Sequence, residues 1–246
     1  MDRIARVALA FCFAASLCAC GGGAGTMVLQ PVQQAEEKPT FNVQAAFNNS
    51  ITDTTPLSFK VEGMANGTAY TGTGTMEQSM LHTVSEFDAQ GGALRKVTPV
   101  KMTLNVAGKA MQVESAAQDY YTRQELRLLG RAGTGPTHEF TQVTRYEALP
   151  AEAQVGHSGT LYTAKRYSDE SRRSETGNTV ATYTVEPDTS LDTALLVLRV
   201  ADNRADGSAG TVTTTVFRIS QAGTARRVSE TTVDAVTQST LKATYS

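Results

Sequence analysis

The chain has no tryptophan, and among its 246 residues there are only three cysteines and three histidines. Each shortage closes a class of function. Without tryptophan the commonest sugar-stacking side chain is missing, and eight tyrosines are left for such contacts. His82, His138 and His157 do not pair at metal-ligand spacing, and no thiolate is at hand to complete a site. All the cysteines, Cys12, Cys18 and Cys20, fall in the first twenty residues, so the remainder must be held by burial without a disulfide. An excess of charge of one sign is also lacking. A net charge of −2 gives a polyanion such as nucleic acid no electrostatic hold.

What is present begins with a leader. Arg3 and Arg6 precede an apolar run from Val7 to Leu17. As a helix that run rises about 16 Å, too short to cross a bilayer, and the layout is that of a secretory signal. It ends in Leu17-Cys18-Ala19-Cys20, with leucine at −3, alanine at −1 and cysteine at +1. This resembles the lipobox of bacterial lipoproteins. The resemblance implies that residues 1–19 are removed, that the Cys20 thiol takes a diacylglyceryl group, and that the freed amine takes a further acyl chain. Two or three chains anchor stably where one does not. In that family an aspartate after the cysteine favours inner-membrane retention. Gly21 stands there, which implies the outer membrane of a Gram-negative envelope, facing the periplasm. Cleavage removes Arg3, Arg6 and Asp2 and moves the net charge from −2 to −3. Residues 20–39 then form the lipidated cysteine and a Gly- and Gln-containing tether with a span of roughly 25 Å as a flexible coil.

The domain follows over residues 40–246. Thr40 is placed to cap a short helix near 40–50, with Val43, Ala46, Phe47 and Ile51 on one face. From Pro56 the period becomes two. Leu57, Phe59 and Val61 alternate with Ser58, Lys60 and Glu62, and Asn66-Gly67 is a type I′ hairpin pair leading to a return strand over 68–76. Further strands are expected at Met102–Val106, turning at Ala107-Gly108-Lys109 into 111–121, and then as a pair at 125–129 and 139–146 across 130–136. The second half offers strands at 160–167, 178–186, 193–201, 210–220 and 226–235. Leu195-Leu196-Val197-Leu198 is apolar on both faces and is expected centrally in a sheet. Threonine is abundant, and β-branched side chains suit a pleated surface. These patterns predict a mainly antiparallel all-β fold, either a sandwich or a strongly curved open sheet. Gly67-Thr68-Ala69-Tyr70-Thr71 is echoed by Gly159-Thr160-Leu161-Tyr162-Thr163, so two similar halves over about 55–149 and 150–246 are conceivable, with chance in a Thr- and Gly-rich chain as the alternative.

Chemistry-bearing patterns are few. Gly156-His157-Ser158-Gly159-Thr160 lacks the final glycine of a nucleophile elbow and leads into a strand pattern. Asp202 to Gly207 has oxygen ligands at positions one and five of a calcium loop, but Arg204 at the third, and reads as a hairpin turn. Lys165-Arg166 with Arg172-Arg173 forms a basic cluster near Asp169, Glu170 and Glu175, read as a solvated tip, with contact to anionic headgroups as the alternative. In Asp119-Tyr120-Tyr121 the two tyrosines must face opposite sides, so at most one lines a core or cavity. If a concavity exists, Tyr70, Tyr120, Tyr121, Tyr162 and Met102 are its candidate lining. The runs Asp119-Tyr120-Tyr121, Gly156-His157-Ser158-Gly159 and Arg166-Tyr167-Ser168-Asp169 together resemble uncharacterised β-rich envelope lipoproteins of proteobacteria, over roughly residues 55–235. That resemblance implies an envelope location and no activity.

The sequence therefore points to a lipid-anchored binding or structural module of the cell envelope, non-enzymatic, with no cofactor beyond the lipid on Cys20. Its expected partners are the membrane through that lipid and an envelope protein or lipid. The alternative is a periplasmic carrier or chaperone that holds an apolar ligand in a curved sheet. A hydrolase built on Ser158 ranks below both.

Overall fold

The computed structural model describes residues 38–87, 90–134 and 139–246. The expected signal segment, Cys20, most of the expected tether and His138 lie outside the described residues. The described residues form a single compact unit.

The unit opens with a two-residue strand, β1 (Thr40–Phe41), and one helix, α1 (Val43–Thr52). Strands β2 (Leu57–Ala65), β3 (Thr68–Met76), β4 (His82–Phe87), β5 (Gln90–Val106), β6 (Lys109–Tyr121), β7 (Leu128–Thr134) and β8 (Phe140–Tyr146) follow. After the short β9 (Ala153–Gln154) come β10 (Ser158–Tyr167), β11 (Glu175–Pro187), β12 (Thr193–Arg204), β13 (Ala209–Ser220), β14 (Ala225–Asp234) and β15 (Ser239–Tyr245). The expected strands are all found, with boundaries shifted by a few residues. Segments 82–87, 90–101 and 239–245 are strands that the sequence reading did not identify, and 130–134 belongs to β7 rather than to a loop.

Neither a sandwich nor an open sheet forms. Every neighbouring pair is antiparallel, β15 pairs with β2, and β3 pairs with β5, which closes a barrel of twelve strands. β4 hangs on the first half of β5 outside that ring, and β1 pairs separately with β9. Closure removes the edges that an open sheet would leave unpaired. It also means that the Leu195–Leu198 segment is one stave of a ring, with Leu196 facing in and its neighbours facing out. The stretches around Tyr70 and Tyr162 lie on one and the same barrel, on strands running in opposite senses.

Turn chemistry sets the register. Asn66 and Gly67 have φ of 50° and 75°, as a type I′ turn requires, and Ala107 and Gly108 repeat the geometry at 49° and 79°. At the closing seam, Gly63 of β2 lies beneath the Tyr70 ring, whose hydroxyl donates to the Thr240 carbonyl at 2.7 Å. A β-carbon on Gly63 would come within 2.2 Å of that carbonyl oxygen, so only glycine allows the approach.

One end of the barrel is closed by α1. Its cap is Asn42, whose side chain accepts from the Ala45 amide at 3.0 Å, and Thr40 instead pairs with Gln154 in the β1–β9 ladder. Val43 and Ala46 are fully buried against Leu149, Ala153, Val185, Leu196 and Ile219. A second apolar cluster, Phe59, Val61, Met76, Leu104, Ala243 and Tyr245, fills the inner face along β2, β3, β5 and β15. The outer wall is different. Lys60, Glu62, Lys101, Glu114, Arg199 and Lys242 project outward from mid-strand and are exposed. A lysine or arginine at the midplane of a bilayer costs about 2–4 kcal/mol on a lipid-facing barrel wall. This wall is made for water.

Candidate functional site

An interior of twelve strands is wider than side chains alone fill. Even with α1 and the apolar clusters in place, a cavity of about 410 Å³ remains inside the barrel. Its inner end is the helix, through Phe47, Ser50 and Ile51, and its walls come from β5, β6, β7, β8 and β10 through β14. Ala117, Leu128, Leu161, Ala181, Leu198, Val200 and Phe217 give the wall an apolar share, and hydroxyl, amide and charged side chains supply a comparable polar one. A larger concavity, about 840 Å³, opens on the outer wall beside Lys60, Thr73, Thr75, Lys101 and Glu114. Those side chains alternate with inward ones, so it is a solvated saddle of the twisted sheet, and the interior cavity is the candidate site.

Charged groups converge on the interior. Asp119 of β6 and Arg131 of β7 are cross-strand partners. The guanidinium meets the carboxylate through its Nε at 2.6 Å and its Nη2 at 3.1 Å. The carboxylate is recessed, with 9 % of its side chain accessible, whereas the arginine keeps 54 %. Arg131 lines the cavity, so its accessible part borders that space. Asp119 raises its proton affinity further above the arginine norm. Arg227 binds Glu230 at 2.7 Å and lies over the rings of Phe217 and Tyr245, at 5.3 and 5.5 Å from their centroids. Glu230 also accepts from the Thr215 hydroxyl at 3.1 Å, and Asp202 accepts from Thr179 at 2.5 Å.

Lys96 performs a separate task. It is 4 % exposed and donates to the carbonyls of Ile51 at 2.6 Å and Asp53 at 2.9 Å, and to the Gln78 side-chain oxygen at 2.9 Å. It thus satisfies orphan carbonyls at the C-terminus of α1, where a cation also suits the helix dipole. Burial lowers its pKa to about 8, with Asp53 opposing the drop and Arg227 adding to it. Two tyrosines complete the group. Burial pushes Tyr162 up to about 12, partly countered by Arg131, and pushes Tyr121 well above its usual value, with Asp119 adding to the rise.

Of the five lining residues expected from sequence, Tyr121 and Tyr162 line the cavity. Tyr120 does not. It faces outward and stacks on Phe87 of β4 with ring centroids 4.4 Å apart. Tyr70 and Met102 point inward but join the apolar cluster along β2, β3, β5 and β15. The paired tyrosines of the motif do divide between faces. The same alternation splits the basic cluster. Lys165 is outside with Glu175 at 2.8 Å, while Arg166 is inside, between Glu139 at 2.7 Å and Asp202 at 3.8 Å. Ser158 begins β10 on the exposed surface, and His157 stacks on Tyr183, its Nδ1 3.2 Å from the phenol oxygen. Asp206 closes its turn by accepting from Ser208 at 2.9 Å, and Asp202 of the same stretch faces the interior. Among the described residues no group of three or more His, Cys, Asp or Glu is placed to hold a metal ion.

The reading from sequence missed Lys96, Arg131, Arg227 and Glu230. Lys96 and Arg131 sit in segments whose strand period is masked by glycine or by residues apolar on both faces. No protein-family model matches the chain, and no curated protein or solved structure matches it.

Proposed function

We propose that this chain is a lipid-anchored, non-enzymatic binding module of the cell envelope, and that its barrel carries a small molecule in the lumen. The observation behind this reading is the cavity of about 410 Å³, whose wall mixes apolar side chains with convergent polar and charged ones. Ligand sites generally have that size. The mixture favours an amphiphile over the purely apolar ligand suggested by curvature alone. The charged side chains support holding rather than proton transfer, because they are committed to one another and to helix carbonyls. Anchoring rests on Cys20, where palmitate labelling and membrane fractionation should both be lost in Cys20→Ala.

Binding is tested with the neutral fluorophore N-phenyl-1-naphthylamine and full-length Cys20→Ala protein, which needs no detergent. Saturable fluorescence enhancement is expected. Ala117→Phe and Thr98→Phe, which project new rings into the cavity, should each weaken it about tenfold or more. Enhancement that neither substitution changes would place the probe on the outer surface and overturn the reading.

A further inference from the structure

We infer that the lumen selects a carboxylate on an apolar body, received by the end of Arg131 that Asp119 leaves open. This rests on the lumen being a ligand site and adds the chemical class.

The argument begins with how Arg131 is paired. A guanidinium offers two forks, a side-on edge made of Nε and Nη2 and an end-on edge made of Nη1 and Nη2. Asp119 takes the side-on edge, at 2.6 and 3.1 Å. Among the described residues no acceptor takes Nη1, and more than half of the side chain, which lines the cavity, remains accessible. Pairing has therefore fixed the arginine's plane and direction without consuming its second fork. The end-on edge matches the two oxygens of a carboxylate.

The charges around the cavity balance, with Lys96, Arg131 and Arg227 against Asp119, Asp202 and Glu230. The selectivity lies in which of them is presented. Asp119 is recessed behind its arginine, Glu230 is engaged by Arg227 and Thr215, and Asp202 by Thr179. Lys96 is spent on the helix. A cationic ligand would find its carboxylate partners occupied, and a neutral one would leave a desolvated guanidinium edge unpaired. An anion supplies the missing acceptors. Tyr121 and Tyr162 stand close enough to Arg131 to influence its charge, and as buried phenols they stay protonated and able to donate. Leu128, Leu161, Leu198, Val200 and Phe217 give the tail its apolar surface.

The test is displacement of N-phenyl-1-naphthylamine from full-length Cys20→Ala protein by octanoate and by 1-octanol, which share a chain and differ in the headgroup charge. Octanoate should displace at a concentration about tenfold lower, the range expected of a charge-assisted fork. Arg131→Gln combined with Asp119→Asn keeps a hydrogen-bonded pair, removes both charges, and should erase the difference while leaving 1-octanol unchanged. Octanol equal to or better than octanoate, or a preference that survives the double substitution, would overturn the carboxylate assignment. Should the double substitution prevent folding, Arg131→Lys keeps the charge without the fork, and an unchanged octanoate preference there would overturn it equally. The lumen reading fails on a different result, namely probe binding that is absent or indifferent to Ala117→Phe.

Discussion

Replacing Lys96 with methionine isolates the contact that seats the helix in the barrel. Methionine keeps most of the stem and removes the donor. The carbonyls of Ile51 and Asp53 and the Gln78 oxygen then lose a partner at 2.6–2.9 Å. An unmade buried hydrogen bond costs about 1–3 kcal/mol. Removing the ammonium's own desolvation works the other way. The drop in pKa from 10.5 to about 8 sets that relief at no more than about 3–4 kcal/mol. The balance at pH 7 is a loss of about 2–3 kcal/mol, or ~5–10 °C in melting temperature for a domain of this size. The pH dependence is more specific. The folded lysine releases its proton near pH 8, whereas the unfolded one holds it to its ordinary value. Between those points the unfolded state binds more protons, so stability rises with pH. Above about pH 10 the order reverses, because Tyr121 and Tyr162 keep protons when folded that they lose when unfolded. Lys96→Met should lose the rise between pH 8 and 10 and keep the fall above it. Urea denaturation followed by circular dichroism at intervals from pH 7 to 11 measures both. A variant whose stability runs parallel to the parent across pH 8–10 would refute the burial of a charged lysine against the helix end.

Two further substitutions probe the frame around the site. Gly63→Ala should destabilise the barrel by about 1–3 kcal/mol, since its β-carbon meets the Tyr70 ring and the Thr240 carbonyl at the closing seam. Hydrogen exchange should show the faster opening first in β2 and β15. At the helix end, Arg218 donates to Asp188 at 2.6 and 3.2 Å, and Thr193 donates at 2.8 Å, which holds that carboxyl well below the usual range. A carboxyl depressed in the folded state stabilises above its unfolded pKa and loses that contribution as pH falls. Asp188→Asn should flatten the stability profile below about pH 4, measured by acid titration of the circular dichroism signal.

How much of this was legible depended on the period of each segment. Leu57-Ser58-Phe59-Lys60-Val61 alternates cleanly, and β2 was read to within a few residues. Asn66-Gly67 and Gly108 are local devices whose backbone angles follow from their own chemistry, and they appear as expected. Closure of the ring was not legible. It depends on β15 meeting β2, with Tyr245 opposite Phe59, across nearly the whole chain, and no local pattern encodes which strands meet. The charged interior was hidden for a related reason. Alternation identifies an inner face when that face is apolar, and here Lys96, Asp119, Arg131 and Arg227 occupy inward positions. Arg131 sits beside Gly130 and Gly133, which read as a loop. Tyr120 and Tyr121 were placed on opposite faces correctly, but the sequence could not say which was inside. A bulge between them, where Tyr121 pairs with Leu128 rather than Leu129, intervenes at that point.

The width of the barrel connects these features. Eight strands enclose a space that side chains fill, and sixteen enclose a water channel. Twelve leave an intermediate space, which this chain partly closes with α1 and with the cluster around Phe59 and Tyr245. The remainder could have been sealed with larger apolar side chains. Replacing buried ion pairs by well-packed hydrophobic residues is often neutral or stabilising. Ala117 and Ala181 leave room for such residues, yet the wall keeps small side chains beside Asp119 and Arg131. A fold selected only for stability has no use for that combination. Departures from good packing are expected at functional sites, and ordering Arg131 against Asp119 costs side-chain entropy that a leucine would largely avoid. The fixed guanidinium, facing unfilled space, is therefore the observation on which the proposal of a lumen kept open for an occupant rests most heavily.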